Sequence, residues 1–237
     1  MSGKELSIVT GASRGIGRAI ALALADAGMD LVIFGRDVDA LEKVEAEIKS
    51  KNVNCEYFSG DAGNENFVHM SVKKIIDVYG KIDHLVNNAG IGIMKKVVDA
   101  TLEDFKKQVN VNLFGVFNFT KAVLPKMIER RSGSVINIAS LAGKNSFVGG
   151  TMYSATKHAL LGFTRSLMLE VREFNIRVAS ICPGSVDTDF NPGRLAPRSK
   201  GEILQPEDVA EAVLAIIEMP VRAMMSEIDL RPTNPQK

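Results

Sequence analysis

Leu6-Ser7-Ile8-Val9-Thr10-Gly11-Ala12-Ser13-Arg14-Gly15-Ile16-Gly17 is the stretch that decides the fold of this chain. It begins as a short apolar run of strand character. Three glycines follow at Gly-x-x-x-Gly-x-Gly spacing, just where a helical pattern opens. Strand, glycine turn and helix are the context in which such a run holds a dinucleotide. Glycine lets the backbone turn sharply and approach a pyrophosphate, whose charge then faces the helix N-terminus. Gly11, Ser13, Arg14, Gly15, Ile16 and Gly17 are therefore the first candidates for cofactor contact. A purely structural turn is the competing reading of the same glycines.

Working outward, the same unit recurs. Strand-like apolar runs fall at residues 7–10, 31–34, 54–58, 84–87, 134–139, 177–181 and 228–230. Helical patterns lie between them at 15–27, 38–49, 64–79, 102–130, 152–174 and 206–219. This alternation predicts an α/β fold, a doubly wound Rossmann-type parallel sheet with helices on both faces. The strands read as continuous apolar runs, as strands buried on both faces must. No repeat, low-complexity tract or linker interrupts the pattern, so residues 1–237 read as a single domain. The least regular stretch, 185–205, combines Pro192, Gly193, Pro197 and Gly201 with Arg194, Arg198 and Lys200. It is expected to be a substrate lid, with an ordinary surface connection as the alternative, and Arg194 and Arg198 could favour acidic or phosphorylated substrates.

Bulk properties narrow the function. A chain of 237 residues with 46% hydrophobic content can bury a large core. A net charge of +1 gives no electrostatic case for nucleic acid or an anionic membrane. The N-terminus lacks a signal-peptide pattern, and the most apolar stretch, 19–34, is broken by Asp26 and Asp30. Cys55 and Cys182 are too few for a disulfide framework and have no metal-ligand spacing. The expectation is a cytoplasmic protein without a metal.

The second strand ends Ile33-Phe34-Gly35-Arg36-Asp37. An acidic residue there would bond the ribose 2′-hydroxyl of NAD, whereas arginine pairs with the 2′-phosphate of NADP. Gly35 occupies the place of the carboxylate and Arg36 follows, with Arg14 available as a second cation, so NADP(H) is the expected cofactor. The alternative makes Arg36 a solvated loop residue and Asp37 a helix N-cap. Asp61 ends the third strand and either accepts from an adenine amino group or caps the next helix. Asn87-Asn88-Ala89-Gly90 ends the fourth strand. Small residues there let the backbone pass close to an adenosine, while the amides can tie neighbouring strands.

Tyr153 and Lys157 in Tyr-Ser-Ala-Thr-Lys share one helical face a turn apart. A phenol with pKa near 10 is a poor base at neutral pH. A nearby ammonium and the charge of an oxidised nicotinamide both favour phenolate. Ser140, closing the fifth strand, can donate a hydrogen bond to a carbonyl oxygen as charge develops there. Glycine turn and proton-transfer pair together imply hydride transfer to or from a carbonyl carbon of a small molecule.

The set Thr10–Gly17, Asn87–Gly90, Asn112, Ser140, Tyr153, Lys157, Pro183-Gly184 and Thr188 resembles the short-chain dehydrogenase/reductase family over nearly the full length. The resemblance implies that Tyr153 is the general acid in reduction and that Lys157 also holds the nicotinamide ribose. It implies that Asn112 anchors a water linking Lys157 to solvent. Read alone, Asn112 is a buried polar residue that kinks a helix. Pro183, Gly184 and Thr188 would line the nicotinamide carboxamide. The middle of the chain is similar to β-ketoacyl-carrier-protein reductases. The ending, Met225 to Thr233, departs from them and looks more like enzymes acting on small hydroxy acids, hydroxy amino acids or assorted ketones. An NAD-dependent dehydrogenase of alcohols, steroids or sugars, or a non-catalytic nucleotide-binding regulator, are the alternatives. Segments 102–130 and 152–174 are apolar on more than one face, which predicts a homodimer or homotetramer built from them.

Overall fold

The computed structural model describes residues 3–190 and 203–234. Seven strands, β1 (Leu6–Thr10), β2 (Asp30–Gly35), β3 (Cys55–Ser59), β4 (His84–Asn87), β5 (Gly133–Ile138), β6 (Ile176–Pro183) and β7 (Glu227–Leu230), form one sheet. Their order is β3-β2-β1-β4-β5-β6-β7, and every neighbouring pair is parallel. The order reverses between β1 and β4, the topological switch point outside which such sheets bind ligands.

The apolar strand residues are divided strictly between the two faces. Val9, Leu31, Ile33, Val86, Ile136 and Ile181 pack under α1 (Gly15–Asp26), α2 (Val38–Lys49) and α7 (Pro206–Glu218). Leu6, Ile8, Val32, Phe34, Leu85 and Val178 pack under α3 (Glu65–Tyr79), α5 (Gly115–Arg130) and α6 (Thr151–Val171). Consecutive residues such as Ile8 and Val9 therefore enter different cores, which is why the strands carry no polar alternation. Asp37 begins α2 by accepting from the Ala40 N–H at 3.1 Å, and Asn64 begins α3 by accepting from Phe67 at 3.0 Å. The capping alternative thus holds for Asp37, while the cap of α3 is Asn64 and not Asp61.

One expected helix is two. The pattern over 102–130 divides into α4 (Leu102–Val109), a π-helical turn (Asn110–Phe114) and α5. Asn112 sits within that turn at 1% exposure. Its Nδ2 donates to the Ile91 carbonyl at 2.9 Å and its Oδ1 accepts from the Ile91 N–H at 2.8 Å. A π turn carries one residue more than an α turn, so it displaces the backbone at a point where a side chain is needed elsewhere. Periodicity alone cannot register that extra residue. The reading of Asn112 as a buried residue distorting a helix agrees with this geometry.

Residues 191–202, with most of the expected lid and Arg194, Arg198 and Lys200, lie outside the described residues. The flanks of the segment are joined: Val186 bridges Leu204, and the Asp187 N–H donates to the Leu204 carbonyl at 2.8 Å.

Candidate active site

A cleft of about 1310 Å³ runs along the carboxyl ends of the strands. That exceeds the roughly 300–1,000 Å³ of ordinary small-molecule pockets and suits an extended ligand together with a substrate. Gly11, Ser13, Arg14, Gly15, Ile16, Arg36, Asp61, Asn88, Ala89, Gly90, Ser140, Tyr153, Lys157, Pro183, Gly184 and Thr188 all line it. Gly17 and Asn112 are the two expected site residues that stand behind its wall.

The glycine turn is a backbone cradle with no room for side chains. Gly11 has φ +66°, and a Cβ there would lie 2.9 Å from the Ala89 Cα. A Cβ on Gly17 would fall 2.2 Å from the Gly11 carbonyl oxygen, so this glycine serves the close packing of turn on helix. Asn88 holds the turn from the other side, its Nδ2 donating to the carbonyls of Thr10 at 3.0 Å and Gly11 at 3.2 Å. The Thr10 hydroxyl in turn accepts from the N–H groups of Asn88 and Ala89, both at 3.0 Å. Asn87 donates to Asn137 Oδ1 at 2.9 Å, tying β4 to β5. The expected tying of strands is thus present, and Asn88, Ala89 and Gly90 line the cleft.

Arg14 precedes α1 and Arg36 follows β2, both exposed and both lining one end of the cleft. Two cations lining the end of the cleft beside β2 fit a phosphate, and a glycine turn bare of side chains fits a pyrophosphate. Asp61 Oδ1 accepts from the Gly63 N–H at 2.9 Å, a local turn that leaves the side chain at the cleft wall.

The reacting end is assembled from three elements. Ser140 follows β5 and heads a short 3₁₀ turn, its hydroxyl accepting from the Ala142 N–H at 3.1 Å. Tyr153 and Lys157 project from the first turns of α6 and are 8% and 5% exposed. Lys157 Nζ donates to the Ile138 carbonyl at 2.9 Å and stands 5.8 Å from the centroid of the Tyr153 ring.

Burial dominates the proton affinities. It pushes the Tyr153 phenol up to about 12, against the opposing hydrogen bond from Ser140. It pushes the Lys157 ammonium down to about 8, with Cys182 acting weakly in the other direction. The expectation that a neighbouring ammonium brings the phenol toward neutrality is therefore corrected for the protein by itself. Lys157 donates to the Ile138 carbonyl, and the Tyr153 shift is set by burial and the Ser140 hydrogen bond.

Asn112 does not reach Lys157 directly. Its Nδ2 donates to the Thr156 hydroxyl at 3.1 Å, and that hydroxyl donates to the Tyr153 carbonyl at 2.8 Å. A Cβ on Gly90 would lie 3.4 Å from Asn112 Oδ1 and 3.9 Å from Lys157 Nζ, so the two side chains flank this glycine. Sequence reasoning passed over Thr156, whose signal was its place three residues after Tyr153 on the same helical face. It also passed over Ile91, Met94, Phe147 and Phe190, which wall the cleft from loops without periodicity.

Among the described residues no group of three or more His, Cys, Asp or Glu could hold a metal ion. No helix among them is long and apolar enough to cross a membrane. Cys55 and Cys182 are both buried and unpaired.

A switch-point cleft with a glycine turn at one end and a buried Tyr/Lys pair at the other defines a doubly wound α/β dehydrogenase. The chain belongs to the short chain dehydrogenase family, whose profile matches residues 5–198. It is an oxidoreductase of the class that interconverts CH–OH and C=O groups. An uncharacterized oxidoreductase of Staphylococcus aureus is 35% identical over 232 residues, covering 96% of this chain and 97% of the relative. The structure of an alcohol dehydrogenase from the archaeon Thermococcus sibiricus, complexed with 5-hydroxy-NADP, superposes with a TM-score of 0.91 at 32% identity, covering 99% of both chains. A variant actinorhodin polyketide ketoreductase with NADPH superposes with a TM-score of 0.89 at 30% identity, covering 97% of this chain and 96% of that one.

Proposed function

We propose that this protein is an NADP(H)-dependent reductase of ketones that also runs the reverse oxidation of secondary alcohols. The observation that carries the reading is the meeting of Ser140, Tyr153 and Lys157 in the same cleft as the glycine turn. Similar structures hold NADP-type nucleotides, which supports the same choice here. Arg14 and Arg36 bind the 2′-phosphate, Gly11, Ser13, Gly15 and Ile16 receive the pyrophosphate, and Asp61, Asn88, Ala89 and Gly90 border the adenosine. Lys157 holds the nicotinamide ribose, while Pro183, Gly184 and Thr188 border the carboxamide. Bound NADPH supplies the hydride.

The chain's own residues supply the proton and the orientation. Ser140 donates a hydrogen bond to the carbonyl oxygen, which stabilises the negative charge as it grows. Tyr153, held protonated by its burial, gives its phenolic proton to that oxygen. Lys157 lies close enough to steady the phenolate left behind. Asn112 and Thr156 fix the start of α6, and a water anchored by Asn112 would link Lys157 to solvent for a replacement proton. A regulator without turnover has no use for this relay.

The test is a ketone and aldehyde panel with both cofactors. NADPH is expected to give the higher kcat/KM. Arg36→Ala should erase much of that preference, since a charge-assisted contact is worth about 1.5–3 kcal/mol. Arg36→Ala is cleaner than placing an acid at Gly35, where a Cβ would press on Leu41 Cδ2 at 3.1 Å. Equal efficiency with NADH and NADPH in the native protein would overturn the cofactor assignment.

A homodimer, or a tetramer built from it, accompanies this reading. Phe105, Phe114 and Phe117 on α4, the π turn and α5 are 37%, 54% and 47% exposed, and Leu169 on α6 is 58% exposed. Light scattering at micromolar concentration should show at least a dimer, and a monomer would refute the assembly. Two buried, unpaired cysteines fit a reducing compartment, the cytoplasm.

A further inference from the structure

We propose that the reacting end of the cleft selects uncharged ketones bearing a flat aromatic or bulky apolar group, with Phe190 as the specificity-determining residue. This rests on the ketone-reductase reading above. The Phe190 ring lies with its centroid 5.9 Å from that of Tyr153 and its plane tilted by 55°. Aromatic pairs attract in such tilted arrangements at roughly 4.5–7 Å. Phe190 nevertheless remains 41% exposed and lines the cleft together with Tyr153, so a ligand at the proton donor lies within reach of the ring.

The opposite wall is shaped to receive that ring. A Cβ on Gly92 would lie 2.8 Å from Phe190 Cε1 and 2.8 Å from Met94 Cε. Gly92 therefore leaves the space into which Phe190 and Met94 close, and Ile91, Leu141 and Phe147 extend the apolar lining. A residue with a Cβ at position 92 would push these two side chains apart.

Charge on the same walls opposes an anionic substrate. Asp187 and Asp189 line the cleft immediately before Phe190. Arg231, another described cation of the lining, stands 3.6 Å from the Asp229 carboxylate. Lys157 Nζ already donates to the Ile138 carbonyl. Arg14 and Arg36 belong to the other end. Among the described residues, a substrate carboxylate at this end would meet the acidic pair Asp187 and Asp189, which a neutral ketone avoids.

The experiment compares three carbonyl compounds with NADPH: 1-phenyl-1,2-propanedione, 2,3-butanedione and pyruvate. The native protein should prefer the phenyl diketone, with pyruvate poorest. In Phe190→Ala the kcat/KM ratio of phenyl diketone to butanedione should fall by about tenfold or more, the scale on which apolar pockets discriminate. Gly92→Ala should move the ratio in the same direction by displacing the ring. A ratio that stays within about threefold in Phe190→Ala, or a native preference for pyruvate, would overturn the assignment. Calorimetric binding of the phenyl diketone to protein saturated with NADP⁺ separates the two levels. Binding that Phe190→Ala weakens, without turnover of any ketone, supports the pocket and sinks the reductase reading. Equal binding to native protein and Phe190→Ala sinks the pocket whatever the turnover.

Discussion

The two edges of the sheet treat buried charge in opposite ways. At the amino edge, Asp83 accepts from the Leu6 N–H, from Arg130 Nη2 and from Lys81 Nζ, each at 2.8 Å. Burial works to raise its pKa, but these three partners outweigh burial and hold it below the usual carboxylate value. Beside it, His84 Nδ1 meets the Ser134 hydroxyl at 2.7 Å. At the carboxyl edge the sign is reversed: Tyr153 goes up to about 12 and Lys157 down to about 8, both chiefly through burial. One edge completes its charges internally and spends them on stability. The other holds Tyr153 and Lys157 buried, with the Ser140 hydroxyl and the Ile138 carbonyl as their partners, in the wall of the cleft. Low dielectric alone does not mark a site; uncompensated burial beside a cavity does.

The largest expected effect belongs to the carboxyl edge. Tyr153→Phe should cut ketone reduction by about 10²–10⁴-fold, the usual worth of a positioned general acid. NADPH binding and melting temperature should barely move, because only a hydroxyl is lost. A variant keeping more than about a tenth of the rate would erase the distinction between the edges.

Asp83→Asn probes the amino edge. It removes the negative charge that Arg130 and Lys81 share and should cost about 1–3 kcal/mol of stability. Activity per folded molecule should stay within about twofold, since no Asp83 contact reaches the cleft. The pH dependence has a definite sign. A carboxyl depressed on folding contributes stability above its unfolded pKa, and that contribution fades as pH falls through the folded value. Acid titration of native protein and Asp83→Asn by thermal melting should therefore converge at low pH. Parallel curves would contradict the ion-pair account.

Lys157→Met gives the most diagnostic shift in stability, because its sign is opposite to that of Asp83→Asn. A lysine whose pKa falls on burial costs stability while it is protonated, and the cost is relieved as pH rises from about 8 toward its unfolded value. Replacing it should raise the stability of the free protein by roughly 1–3 kcal/mol at neutral pH while removing activity. Denaturant melts near pH 7 would show this. A destabilised variant would mean that Lys157 belongs with the paired charges of the amino edge.

The sequence disclosed the carboxyl edge far better than its surroundings. Glycines at positions 11, 15 and 17, Ser140 and the Tyr153/Lys157 pair are local signals, each tied to a strand end or a helix start. The sheet was legible for the same reason, since strands such as 31–34 are apolar throughout and β2 is buried along that stretch. The π turn at Asn112 escaped because one extra residue within a helical pattern leaves the periodicity nearly unchanged. The partners of Asp83 escaped because Leu6, Lys81 and Arg130 meet only through the fold. Arg130, one of two adjacent arginines in the sequence, is bound to Asp83. Phe190 and Gly92 were silent because loop packing has no period.

Deuterium transfer tests the central claim most directly. Native protein supplied with NADPH deuterated at nicotinamide C4 and with 1-phenyl-1,2-propanedione should yield an alcohol carrying deuterium at the carbinol carbon. One of the two C4 faces should serve as donor, and Tyr153→Phe should yield almost none. An alcohol without deuterium from either C4-labelled cofactor, or full labelling by Tyr153→Phe, would contradict hydride transfer assisted by a proton from Tyr153.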